Sequence, residues 1–291
     1  MEKQLRVMMI GAHLDDNDFH GGGTALNYLA QGHRVRFLSM CNGCGGHHIH
    51  TPEEIAARRY GEAQEVARIT GIEYDVWDID DCTIMADLET RKRLVRYIRE
   101  FAPDIIFTHR TNDYHADHRN AALLVQDASY LLIVPNFCPE APAMEKMPVI
   151  MYFEDRFTEP PFKAKVAVSI DKVIDKKFEM FNCHVSQVYE WLPYTYGIID
   201  LVPKTPEERL EWLHQPRVER NGRLLTEEIF NTPIVHTHCE VIEARYTVKH
   251  RDLLVARYGD AGNDVVFTEA FGVSEYGTPL TEDNIKTLFP F

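Results

Sequence analysis

VMMIGAHLDDNDFHGGGT, residues Val7–Thr24, is the stretch from which the fold is read. Val7 to Ile10 form a short apolar run of the kind that makes a buried parallel strand, and Gly11 lets the backbone turn out of the sheet. His13, Asp15 and Asp16 follow at once, at the carboxyl end of a first strand, where open α/β sheets place their ligands. An imidazole and a carboxylate are nitrogen and oxygen donors suited to a borderline divalent ion such as zinc, and a second carboxylate beside them can accept a proton from activated water. A structural alternative stands beside this. Asp15 and Asp16 also suit the N-cap and first turn of a helix beginning near Phe19, which would leave His13 exposed in a loop.

A second cluster favours chemistry. In FTHRTNDYHADHRNAALLV, residues 107–125, the strand-like run Ile105–Thr108 is followed by Asp113, His115, Asp117 and His118, and then by a helical pattern with Ala121, Leu124 and Val125 on its buried face. Histidines at the mouth of this strand can supply a further metal ligand and a contact to a developing oxyanion. Two polar clusters at equivalent strand ends are not expected of independent surface residues.

These residues carry a family resemblance. The chain resembles the LmbE-like (PIG-L) N-acetylglucosaminyl de-N-acetylases, whose signatures are A-H-P-D-D after the first strand and H-x-D-H after a later one. They stand here as Ala12-His13-Leu14-Asp15-Asp16 and His115-Ala116-Asp117-His118. Gly22-Gly23-Thr24, Arg59-x-x-Glu62 and His184-x-Ser186-Gln187 extend the likeness over roughly the first two thirds of the chain. Leu14 stands where proline is usual, and Asp18 and His20 where glutamate and glycine are expected. These departures bear on substrate choice more than on metal binding, since none deletes a ligand.

The resemblance implies an N-deacetylase holding zinc, or another divalent transition metal, on His13, Asp16 and His118. It implies Asp15 as general base, His115 as oxyanion stabiliser and Asp117 orienting His115. Arg59 and His184 are implied substrate contacts, although Arg59 with Glu62 also reads as an ordinary i,i+3 pair and His184 as a packed histidine on a long helix. The expected partner is a small N-acetylated sugar or sugar conjugate. Two alternatives remain: an amidase acting on a thiol-conjugate or peptide-like amide, and a sugar-binding module without turnover.

A dinucleotide fold is the competing reading of a β-α-β start, but His13 displaces the second glycine of G-x-G-x-x-G and Gly21-Gly22-Gly23 arrives too late. No P-loop is present. The formal charge of −14, without a basic stripe, argues against nucleic-acid binding. The N-terminal apolar run is too short for a signal peptide and no window approaches a membrane span, so a cytoplasmic protein is expected, with a homo-oligomer open. Six cysteines without framework spacing are expected as free thiols, and Cys41-x-x-Cys44 alone is a weak metal signal.

The fold class that follows is α/β, a Rossmann-like, mostly parallel sheet flanked by helices. A core is expected over residues 1–193, with a C-terminal extension, 194–291, packed on it as a cap over the pocket, an oligomer contact or padding of the core. Thr51-Pro52-Glu53-Glu54 opens a helix that should stop at Gly71, and a helix from Asp171 toward Gln187 should carry His184. One helix is expected over Glu240–Arg257, then a closing strand in VVFTEAFGV. The loop bearing His47, His48 and His50 reads as substrate contact or plain surface rather than a second metal site.

Overall fold

The apolar run after Leu5 forms β1 (Arg6–Gly11), and β2 (Arg34–Cys41), β3 (Glu73–Ile79), β4 (Ile105–Thr108) and β5 (Val149–Phe153) align parallel with it. In this computed structural model, which describes residues 3–220 and 225–291, they are joined by β6 (Val166–Ser169) and β7 (Thr268–Gly277). The seven-stranded order is β3-β2-β1-β4-β5-β7-β6. Strand residues alternate between two apolar layers: Val7, Met9, Phe37 and Phe107 pack on one face of the sheet, and Met8, Ile10, Leu38 and Ile106 on the other. A sheet buried on both faces requires the near-continuous apolar runs seen in the sequence.

The helices α1 (Asp16–Ala30), α2 (Pro52–Thr70), α3 (Leu88–Phe101), α4 (Ala116–Leu131) and α5 (Ile174–Cys183) cover those faces. The Thr51 capping box and left-handed Gly71 end α2 where its sequence signals stand. Gly23 lets α1 approach the sheet, because a Cβ there would meet Ile170 Cγ2 at 2.7 Å. The fifth helix is shorter than expected. Glu62 takes the Ser186 backbone N–H at 2.9 Å and its hydroxyl at 2.6 Å, and a π-helical stretch, Ser186–Trp191, follows.

The C-terminal segment supplies a strand to the sheet. β7 enters the sheet antiparallel between β5 and β6, so residues beyond 193 complete the core rather than cover it; residues 221–224 of that segment lie outside the described residues. The single helix expected over Glu240–Arg257 is two, Glu240–Lys249 and Arg251–Tyr258, meeting at His250, whose Nε2 lies 2.8 Å from Glu154. The segment is bonded to the core through Lys177 of α5, whose Nζ lies 2.8 Å from both Glu243 and Glu269 and donates to Phe19 O at 3.0 Å. Glu269 also accepts the Gly23 and Thr24 backbone N–H groups of α1. No described helix is long and apolar enough to cross a membrane.

Glu240 is a second buried anchor, accepting from Val218 N at 2.7 Å and Arg220 at 2.5 Å, with His214 Nδ1 2.9 Å away. Burial opposes its ionisation, but His214, the Val218 amide and Arg220 prevail and hold its carboxyl below the ordinary range. The folded state therefore binds fewer protons here than the unfolded one. This stabilisation is full above the unfolded value of about 4.3 and is lost as pH falls through the folded value. Glu240→Gln is expected to cost about 2–4 kcal/mol at pH 7 in urea unfolding, with the gap to the parent narrowing on acidification. A gap independent of pH would show that the charge is not what stabilises.

Candidate active site

The strand order reverses at β1, whose neighbours β2 and β4 lie on opposite sides, and the crevice beyond their carboxyl ends is where such sheets bind ligands. Both sequence clusters open into it. His13 Nδ1 lies 3.2 Å from His118 Nε2 and 3.5 Å from Asp16 Oδ2, and His118 Nε2 lies 3.5 Å from Asp16 Oδ1. The three expected ligands therefore converge. Their outer nitrogens face carboxylates, with His13 Nε2 3.2 Å from Asp117 and His118 Nδ1 3.0 Å from Asp113. Such pairing orients a ligating imidazole and raises its basicity.

His109 is a member of this cluster that sequence reasoning passed over. It is buried, its ring stacks on His118 at 4.0 Å, and its Nε2 lies 3.1 Å from Asp16 Oδ2 and 3.2 Å from the Ala12 amide. The available signal was its place as the first residue after β4. His13, His115 and His118, and likewise Asp16, His109 and His118, each offer donor atoms lying within 4.8 Å of one another. Burial opposes ionisation of Asp16, yet His118, His109 and His13 hold its carboxyl well below the ordinary range. Burial likewise opposes a charge on His13, but Asp117 and Asp16 raise its imidazole to about 10. A concentrated site of imidazole and carboxylate donors fits a divalent metal such as zinc.

Asp15 caps α1 only by position. Its side chain makes no capping bond, and its Oδ1 instead accepts from Arg59 Nη2 at 3.0 Å. Arg59 was expected to reach substrate, but it is 2% exposed and lies between Asp15 and, at 3.7 Å, Asp81. Its place is secured by Gly43 at φ +81°, where a Cβ would meet Arg59 Cδ at 2.6 Å. Glu62 bonds Ser186 and lies 3.3 Å from Arg58, not in the simple surface pair. His184 is also withdrawn from the crevice: at 1% exposure it sits beneath α1 with Nε2 3.3 Å from Asp18, which accepts from Tyr74 at 3.0 Å. The shorter Asp18 carboxylate is thus matched to two buried partners. His20 is half-buried and stacked on Phe153, and desolvation of its ring lowers its pKa to about 3, so it is neutral.

His115 and Asp117 meet differently from the expected pair. The Asp117 carboxylate faces His13 and accepts from the Cys82 and Ile84 amides at 2.6 and 3.1 Å, and it lies 3.7 Å from His115. It is the Asp117 backbone N–H that donates to His115 Nδ1, at 3.2 Å. Burial, with His13 and His118 nearby, lowers the His115 pKa and favours the neutral ring, whose proton then sits on Nε2. In the histidine loop, His47 Nε2 lies 2.9 Å from Glu190, which already accepts two bonds from Arg58, and His48 stacks on Tyr194 at 3.8 Å. His47, His50 and Glu190 group at metal-like distances, but the Arg58 cation already partners the carboxylate. All six cysteines are free thiols, including Cys41 and Cys44.

Residues 8–129 match the PIG-L family, described as GlcNAc-PI de-N-acetylase. Over those residues, less than half of its length, the chain is similar to the PIG-L, or LmbE-like, family. A 4-oxalmesaconate hydratase of Pseudomonas putida is 24% identical to it over 200 residues, 66% of this chain and 78% of that protein. Among solved structures, the N,N'-diacetylchitobiose deacetylase of Pyrococcus horikoshii superposes with a TM-score of 0.64 at 20% identity, over 92% of this chain and 83% of its own. The 4-carboxy-2-hydroxymuconate hydratase of Pseudomonas putida superposes with a TM-score of 0.68 at 18% identity, over 96% and 99%. At these identities the superpositions establish the LmbE-like α/β fold. The proteins similar to this chain include both a deacetylase and hydratases.

Proposed function

We propose that this protein is a zinc-dependent N-deacetylase, a hydrolase that removes an N-acetyl group from an amino sugar or sugar conjugate and leaves acetate and a free amine. The observation that carries this reading is the convergence of His13, Asp16 and His118 beside a carboxylate, Asp15, that stands outside the donor set and is held by Arg59. Those three residues would hold the metal, which when bound supplies Lewis acidity at the amide carbonyl and toward water. Asp15 takes the proton of the attacking water and returns it to the amide nitrogen as the carbon–nitrogen bond breaks. His115 donates from Nε2 to the carbonyl oxygen as negative charge gathers there. Asp117 and Asp113 keep His13 and His118 oriented.

The test begins with metal content. Mass spectrometry of the purified protein is expected to find about one zinc or similar ion per chain. Asp16→Ala and His118→Ala are expected to lose it, together with acetate release from N-acetylated sugars. A parent that cannot be loaded with any divalent metal would remove the hydrolase reading and leave a binding module on the same fold.

A second reading is hydration of a carbon–carbon double bond, favoured by the full-length likeness to the muconate hydratase. The same residues serve it, with Asp15 activating water for addition rather than for acyl transfer. Loss of the diene absorbance of 4-carboxy-2-hydroxymuconate, without acetate release from any N-acetyl compound, would select it.

A further inference from the structure

The turn between β1 and α1 carries the proposed metal ligand His13, the proposed base Asp15 and, between them, Leu14. Leu14 is fully buried, and its carbonyl precedes the first one that α1 uses, Asp15 O, which accepts from Phe19 N at 3.0 Å. A buried carbonyl just outside a helix needs a donor from elsewhere. Among the described residues that donor is a single side-chain group, the hydroxyl of Tyr74, 60 residues further along the chain. Leucine also leaves free the φ angle that proline, usual at this place, would fix.

Tyr74 is anchored independently of the turn it bonds. It lies on β3 in register with Phe37 of β2, its ring stands edge-on to the Phe37 ring at 5.4 Å, and its carbonyl accepts from Gln64 of α2 at 3.0 Å. Its one hydroxyl proton is shared between Leu14 O and Asp18 Oδ2, the latter 3.0 Å away. Because the peptide unit is planar, holding Leu14 O fixes the plane that carries the Asp15 nitrogen. Arg59 holds the other end of the same residue, through the Asp15 carboxylate, at 3.0 Å. Asp15 is thus fixed at its backbone from β3 and at its side chain from α2.

We propose that Tyr74 is a positioning residue: through Leu14 O it sets the spacing between His13, which would hold the metal, and Asp15, which takes the proton from water. The proposal rests on the deacetylase reading for the role of Asp15, and adds to it a residue that acts only through the backbone of the turn. Without the hydroxyl the Leu14–Asp15 peptide is free to rotate, and a displaced base slows proton transfer while substrate binding is kept.

The test compares Tyr74→Phe with two companions in the full chain. Tyr28→Phe removes another buried hydroxyl, one that donates to Leu288 O at 2.7 Å, and measures the cost of such a loss away from the turn. Asp18→Asn leaves the Tyr74 hydroxyl in place and removes the charge that competes with Leu14 O for its proton. Each protein is loaded with excess cobalt, whose visible absorbance reports ligand geometry and whose binding favours the folded state of a destabilised variant. Acetate release from N-acetylated sugars is followed in parallel. Tyr74→Phe is expected to bind about one cobalt per chain with an altered visible spectrum, and to lose about 10- to 10²-fold in kcat at unchanged KM. Tyr28→Phe and Asp18→Asn should keep the parental spectrum and kcat. Parental kcat in Tyr74→Phe overturns the proposal, as does a rise in KM in place of the fall in kcat. An equal loss in Tyr28→Phe overturns it by tracing the effect to general loosening, and an equal loss in Asp18→Asn by placing the effect at Asp18. A Tyr74→Phe chain that does not fold even with cobalt overturns it by making the hydroxyl a folding element. A parent that releases no acetate removes the deacetylase reading, and the cobalt spectra then decide alone: a spectrum altered only in Tyr74→Phe upholds the anchoring of the turn, and an unaltered one overturns it.

Discussion

Asp15→Asn is expected to slow acetate release by about 10²- to 10⁴-fold while metal content stays at the parental level. The substitution is nearly isosteric, and an amide oxygen can still accept the Arg59 bond seen at 3.0 Å, so the first turn of α1 should keep its shape. What is lost is a basic oxygen. An amide cannot take a proton from water at neutral pH, and the proposed metal ligands His13, Asp16 and His118 make no hydrogen bond to the Asp15 side chain, whose partner is Arg59. Mass-spectrometric metal content and single-turnover acetate release distinguish the cases. Turnover within a few-fold of the parent would assign the proton to another group, and lost metal would make Asp15 a ligand.

Lys177→Met is expected to cost about 3–5 kcal/mol and to lower the thermal midpoint by roughly 10 °C. Lys177 is fully buried, and its ammonium is the counter-charge to Glu243 and Glu269, which approach it from the helix Glu240–Lys249 and from β7. Methionine fills the space but leaves two carboxylates facing one another without a cation. Burial already raises the Glu243 pKa in the parent, and removing the ammonium must raise it further. The folded variant then binds more protons than its unfolded state, so its stability falls as pH rises, and its deficit should be greatest near neutrality and shrink on acidification. Thermal melts at several pH values check both magnitude and sign. A deficit that ignores pH would trace the loss to packing instead.

The parts of the fold written in local signals were legible in the sequence. β4 and β5 have the bounds their apolar runs suggested, and α2 runs from the Thr51 capping box to Gly71, because caps, prolines and short apolar runs act over a few residues. The convergence of His13, Asp16 and His118 was legible as well, since both motifs stand at the same ends of adjacent parallel strands. What escaped depends on partners distant in the chain. Arg59 and His184 are drawn inward by Asp15 and Asp18, and no local pattern distinguishes a buried ion pair from a side chain that reaches into a cleft. His109 carried no motif around it. The alternation in β7 announced a strand but not its neighbours, so its place between β5 and β6 had no signature in sequence.

That placement has a consequence for biosynthesis. Until residues 268–277 leave the ribosome, β6 has no partner and one side of β5 is open, although all three expected metal ligands were translated some 150 residues earlier. The nascent chain therefore waits with unpaired strand edges, the surfaces most prone to adhere to other chains, and the sheet closes only through a contact of high sequence separation. Truncation ahead of Thr268 should accordingly yield an aggregating product rather than a smaller working enzyme, a result that centrifugation of the expressed fragment would reveal.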